Sequence, residues 1–169
     1  MGYEARTALI LIGGLAALFA WSAWAGLAGI AVVGSWMLWL AARDASAKRA
    51  LQRRCRQQVE LALAQQNAVL EALFDSHLGV AAIGVAAGGQ AFVCASPDSA
   101  ESFAADVILE ARALKLAQGD YELGICVPGR VSGKPYWHAL LVKRRSEALH
   151  WVRTVQPILG ARLTRLELG

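Results

Sequence analysis

Between Arg6 and Arg43 lie 36 consecutive residues without one Asp, Glu, Lys or Arg. A helix bathed in water keeps a polar face, so a run that is apolar on every side belongs in a bilayer or a core. Crossing the hydrocarbon layer, roughly 30 Å thick, takes about 20 helical residues. The run is too long for one upright pass, and its pattern predicts an N-terminal transmembrane helical hairpin. One span falls near 6–21, a turn near Ser22–Gly26, and a second span near 25–42. Trp21 and Trp24 flank the turn, and Trp36 and Trp39 lie at the far end of the second span with Tyr3 opposite. Indole rings favour the membrane interface, and this arrangement puts them there. Residues 7–20 also read as the apolar stretch of a signal peptide cleaved after Ala23-Trp24-Ala25, although Glu4 offsets Arg6 in its leader. A re-entrant first segment is the third version, and all three retain the second span. The small residues Gly13, Gly14, Ala17, Gly26, Gly29 and Gly34 would let helices approach closely.

From residue 43 to about 75 the pattern changes to a helix with two faces, free of Gly and Pro. Leu51, Cys55, Val59, Ala62, Val69 and Leu73 recur at steps of three and four, with Gln66 in the gap. Such a seam either pairs chains as a short coiled coil or lays one face on the chain's own downstream domain. The first alternative makes these six residues the expected self-association surface.

Beyond residue 77 come short apolar runs separated by turn residues. LGVAAIGVAA (78–87), Gly88-Gly89 and QAFVCAS (90–96) predict a β-hairpin whose glycine pair supplies positive φ. Ser96-Pro97-Asp98 reads as a helix start, with Phe103, Val107, Ala111 and Leu114 on the apolar face and Gly119-Asp120 as its stop. YELGICVP (121–128) and PYWHALLVKR (135–144) read as strands. LHWVRTVQ (149–156) reads as a strand followed by a helix from Pro157; the reverse, helix then strand, fits nearly as well. The expected fold is thus a membrane anchor (1–42), a basic connector helix (43–77) and a small α+β domain with an antiparallel sheet (78–169). Its element order would be α-β-β-α-β-β-β-α.

Charge sharpens the topology. The formal net charge of +4 is local: residues 43–56 hold Arg43, Lys48, Arg49, Arg53, Arg54 and Arg56 against Asp44 alone. From residue 57 onward ten bases meet eleven acids. A basic strip starting where an apolar run stops predicts contact with lipid headgroups and a cytoplasmic position for that end, with no nucleic-acid partner. With a hairpin ahead of it, both termini fall in the cytoplasm of a multi-pass inner-membrane protein.

Catalytic chemistry is sparse. Cys55, Cys94 and Cys126 are odd in number and widely spaced, which excludes a disulfide framework and a C-x-x-C pair. His77, His138 and His150 come singly, without H-x-x-x-H or H-E-x-x-H spacing, so neither metal nor cofactor is expected. Gly129-Arg130-Val131-Ser132-Gly133-Lys134 fails as a phosphate loop, because Pro135 stands where Ser or Thr is needed and strands flank it. Only spatial convergence could make a nucleophile–base pair, Cys94 or Cys126 with His138. Lys143, Arg144, Arg145 and Arg153 form a second basic cluster, and Trp137 and Trp151 read as core or sheet-face residues. The expectation is a non-enzymatic, membrane-anchored assembly or adaptor protein that self-associates and binds protein partners. An oligomerising membrane effector and a small cysteine-dependent enzyme are the alternatives.

Overall fold

The computed structural model describes residues 10, 12–14, 16–17, 22–129 and 133–168. Most of the expected first span lies outside the described residues; those described within it are helical. Two compact units divide the chain after Ala47.

The first unit is dominated by the start of α1, the helix Ala23–Gln65. α1 is long and apolar enough to cross a membrane, and its most apolar 18-residue stretch is only 6% buried. Trp24, Val32, Trp36 and Leu38 are each more than half exposed, so nothing among the described residues covers this surface. Arg43 lies over the Trp39 ring at 5.7 Å, where the apolar stretch gives way to charge.

In the second unit α1 does not run on to residue 75. Asn67 takes a positive φ of 54°. The Ala68 N–H then donates to Leu63 O and the Asn67 N–H to Ala64 O, the paired bonds that close a helix on a left-handed residue. The chain turns into β1, Leu70–Asp75, so the domain begins before residue 78. β1, β2 (Ala82–Ala86), β3 (Ala91–Ala95) and β4 (Ala100–Ala104) form a four-stranded antiparallel meander. The Gly88-Gly89 turn between β2 and β3 has positive φ at both glycines, as the sequence predicts.

The expected helix after Ser96 is absent. Ser96 instead closes a tight turn, its Oγ accepting the Ser99 N–H, and the segment splits into β4 and β5 (Glu110–Lys115) around a short 3-10 turn. Arg162 secures this crossing by donating to the carbonyls of Ala105, Asp106 and Ile108. β5, β6 (Tyr121–Pro128) and β7 (Pro135–Val142) make a second antiparallel meander, with β6 and β7 where the sequence places them. The C-terminal order is helix then strand: α2, Arg145–Leu159, is followed by β8, Leu163–Glu167, which pairs in parallel with β5. The domain therefore holds two four-stranded sheets, β1-β2-β3-β4 and β7-β6-β5-β8, and not a single antiparallel one.

Strand alternation distributes side chains between two cores. Phe74, Ile83, Val85, Phe92 and Phe103 of the first sheet meet Leu123, Ile125, Val127 and Leu140 of the second, and Trp151 and Val155 of α2 complete the cluster. On its other face the first sheet shows small residues, Ala82, Gly84, Ala86 and Ala95, to Cys55, Val59 and Leu63 of α1. A Cβ added at Gly84 would overlap Val59 Cγ1. Glycine there is what lets the helix lie flat on the sheet.

Candidate functional site

Where the β4 edge of the first sheet meets β7 of the second, a cleft of about 440 Å³ opens. Residues two apart on a strand share a face, so β4 offers Glu101 and Phe103 while β7 offers Tyr136 and His138. The Tyr136 hydroxyl donates to Glu101 Oε2 at 2.9 Å. His138 Nε2 lies 3.4 Å from the same oxygen, longer than an ordinary hydrogen bond, and is sealed from solvent. The imidazole is wedged between Tyr136, 4.9 Å away edge-on, and Phe103 at 5.2 Å. Cys94 sits opposite Glu101 across the β3–β4 ladder and also lines the cleft. Ser96 and Ser99 form the rim, their hydroxyls 2.8 Å apart.

Electrostatics define what this group can do. Burial pushes the Cys94 thiol far up, and the neighbouring Glu101 charge pushes it in the same direction. Burial lowers His138 below its ordinary 6.5, with the facing Glu101 carboxylate opposing through its charge and through hydrogen bonding to the ring. A nucleophilic cysteine needs the reverse, a thiolate beside an imidazolium. The cleft brings Cys94 and His138 to one place but holds both neutral. Cys126 lies elsewhere, opposite Trp137 across the β6–β7 ladder, and its thiol is also raised by burial. Alkylation with iodoacetamide at pH 7.5 should leave Cys94 unmodified in the folded protein and label it fully in denaturant. Rapid labelling of the folded form would show a reactive thiolate.

The lowered His138 also sets a pH dependence. The folded state favours the neutral ring, so the unfolded state binds more protons between the lowered value and about 6.5. This contribution to stability is present above pH 6.5 and is lost as pH falls through the folded value. Melting midpoints between pH 5 and 8 should fall more steeply on the acid side for the parent than for His138→Gln. Parallel curves would show that His138 does not titrate differently on folding.

The other sequence candidates disperse. The His77 ring bonds Leu141 O through Nδ1 and lies 3.5 Å from Asp120. His150 packs on Phe74 at 5.2 Å. No group of three His, Cys, Asp or Glu among the described residues could hold a metal. Trp151 is fully buried, whereas Trp137 lies on a sheet face under Arg112, whose guanidinium is 3.9 Å from the ring and also pairs with Glu122. In the loop between β6 and β7, Arg130, Val131 and Ser132 lie outside the described residues. Of the basic strip, Arg43, Arg49, Arg53 and Arg54 are exposed, Lys48 is half-buried, and Arg56 pairs with Glu60 at 2.9 Å. The proposed seam is no continuous stripe. Cys55 and Val59 are buried under the first sheet with Ala62 beside them, Leu51 is half-buried, Val69 is exposed in the bend, and Leu73 belongs to β1. Pairing chains through this surface would have to uncover the domain's own core.

Glu101 and Tyr136 carry the cleft but escape a reading by motif. Glu101 is hidden by the apparent helix over 96–118, and Tyr136 gains its meaning only when β7 is set beside β4. No protein family, curated protein or solved structure matches the chain.

Proposed function

We propose that this is a membrane-anchored, non-enzymatic assembly or adaptor protein, held in the inner membrane by α1 and binding protein partners through its β-rich domain. The observation that carries the reading is the uncovered apolar surface of α1, followed directly by the basic strip. Leaving residues such as Trp24, Val32 and Leu38 in water forgoes about 1.5–3 kcal/mol for each large apolar side chain. Lipid removes that cost, and Arg43, Arg49, Arg53 and Arg54 then meet anionic headgroups at about 1 kcal/mol each near the surface. Positive-inside topology puts the domain in the cytoplasm, and a first span ahead of Ser22 would return the N-terminus to the same side. Self-association fits the membrane part better than the connector, because a small residue such as Gly34, with nothing among the described residues within 4 Å of an added Cβ, leaves room for a second copy.

Membrane fractionation tests the anchor. Ile30→Arg with Val33→Arg should cost about 2.5–3.5 kcal/mol per arginine near a span centre. The chain should move from the carbonate-resistant membrane pellet to the soluble or aggregated fraction, while single leucine substitutions at these sites leave it in place. A doubly substituted protein that stays in the membrane would refute α1 as the span. Alkaline phosphatase activity from a C-terminal fusion would refute the orientation, and native mass of the detergent-extracted protein reads the self-association.

A further inference from the structure

At one end of the β-rich domain two basic clusters, far apart in the sequence, converge on one apolar turn. The turn joins β1 to β2 and carries Leu78 and Val80, each half exposed, on either side of the buried Gly79. Gly79, with a φ of 79°, lies against α1 so closely that an added Cβ would be 3.0 Å from Lys48 O and 3.3 Å from Gln52 Cγ. The turn therefore sits beside Lys48, with the exposed Arg49 and Arg53 on the same stretch of helix. From the second sheet, Leu141 O accepts the His77 N–H at 2.8 Å. Lys143, Arg144 and Arg145, all exposed, follow two to four residues further on. Asp75, Asp98, Asp120 and Glu147 supply acids nearby, with Asp120 facing His77 at 3.5 Å, and the six bases outnumber them. The backbone of the turn is bonded inward. The Ser76 N–H donates to Ala81 O, Leu78 N–H to Ser76 Oγ and Gly79 N–H to Ser76 O, so no N–H of residues 76–79 is left for a partner. Ser76 O and Gly79 O also accept from Gln52 Nε2 and Cys55 Sγ. Such a turn can enter a less polar medium without giving up hydrogen bonds to water.

We propose that this end of the domain is a second membrane contact, made with the surface of an anionic bilayer. Leu78 and Val80 enter the interfacial layer, and the two basic clusters bind the lipid phosphates around them. The contact rests on the reading of α1 as a membrane span, which keeps the domain near the surface. Lys48 follows Ala42, the end of the apolar stretch, by six residues. Even fully extended, six residues cover no more than about 20 Å. Attraction to anionic lipid changes the docking equilibrium about fivefold for each base near the surface, and salt confines it to about 10 Å. Apolar insertion and charge thus act together, the pairing by which peripheral segments hold to membranes. An acidic protein would answer to the same bases, but the inward-bonded turn leaves it few of the hydrogen bonds that a protein interface makes.

The test places a nitroxide on the full chain at Leu78→Cys, against the parent, whose Cys55, Cys94 and Cys126 are buried. The protein is reconstituted in vesicles of phosphatidylcholine alone or with about 30% phosphatidylglycerol, the anionic component. Oxygen dissolves in the apolar layer and a nickel chelate stays in water, so their relaxation of the label reports its depth. In anionic vesicles the Leu78→Cys label should be open to oxygen and closed to nickel; in phosphatidylcholine alone nickel should reach it. Leu109→Cys, an exposed position at the start of β5, should stay in water in both. Lys143→Glu with Arg145→Glu changes four units of charge at the patch and should return the Leu78→Cys label to water. Raising sodium chloride from about 0.1 to about 0.5 M should move it the same way even if that variant does not fold. Ile30→Cys separates the two readings. If its label meets nickel, α1 is no span and the docking fails with it. If the Ile30→Cys label lies in lipid while Leu78→Cys stays in water in anionic vesicles, the docking alone fails. Equal protection of Leu78→Cys without anionic lipid would mean that a protein surface covers the turn, and would also overturn the proposal.

Discussion

Val59→Asp should release the end of α1 from the first sheet. Val59 is completely buried, and Gly84 faces it without a side chain, so an aspartate there has no donor and no water. Burying an unpaired carboxylate costs several kcal/mol, against a total stability of about 5–15 kcal/mol for an ordinary domain. The Val59→Ala control leaves only a small void and should cost about 1–3 kcal/mol. Hydrogen exchange on the full chain in detergent reads the difference. In Val59→Asp, amides of α1 around residues 52–63 and the facing strands β2 and β3 should lose protection together, while β6 and β7 keep more of theirs. If Val59→Asp exchanges like the parent, α1 does not depend on the sheet, and its apolar stripe is free to pair with another chain.

How far the fold can be read from the sequence depends on whether local pattern and tertiary context agree. The apolar stretch of α1 and the strands β6 and β7 follow from pattern alone. β6 sets Tyr121, Leu123, Ile125 and Val127 on the core face and Glu122, Gly124 and Cys126 on the other, and Gly119 and Gly129 bound it. The stretch from 96 to 118 misleads because two short strands joined by a 3-10 turn put Phe103, Val107, Ala111 and Leu114 at steps of four, four and three. Those are helical steps, yet Val107 is exposed in the turn while Phe103 and Ala111 are buried in different sheets. Ser96-Pro97-Asp98 carries the same residue types whether it caps a helix or closes a turn, and Ser96 closes a turn. α1 appears too long in the sequence because Leu70–Asp75 has good helix formers, and its true stop is a single left-handed Asn67.

The cleft was legible only as separate residues. Cys94 and His138 stand out by chemical type, but their meaning depends on Glu101 and on burial, which spacing does not encode. Once β4 and β7 are side by side, the group changes from a candidate nucleophile pair into a buried thiol and a neutral imidazole beside one carboxylate. In the C-terminal segment the deciding signal was present: Ala148, Trp151, Val155 and Leu159 recur at three, four and four, and all four are buried on one face of α2. Pro157 lies inside α2, two residues before its end, and the helix stops at Gly160 with a φ of 55°.

Trp151→Ala is the second change expected to be severe, because it removes the largest fully buried side chain in the domain. Trp151 meets Phe74 of the first sheet edge-on at 5.0 Å and lies in the cluster that joins both sheets to α2. Truncating a buried aromatic of this size typically costs about 3–5 kcal/mol, the transfer term plus the void left behind. Trp151→Phe keeps most of the volume and should cost clearly less. Urea titration of the full chain in detergent measures both. Val59 and Trp151 belong to separate clusters on opposite faces of the first sheet. Their single costs should therefore add to within about 0.5 kcal/mol when Val59→Ala is combined with Trp151→Phe. A much larger coupling would mean that the two cores melt as one unit through the sheet between them. A Trp151→Ala protein as stable as the parent would mean that α2 does not pack where its buried stripe places it.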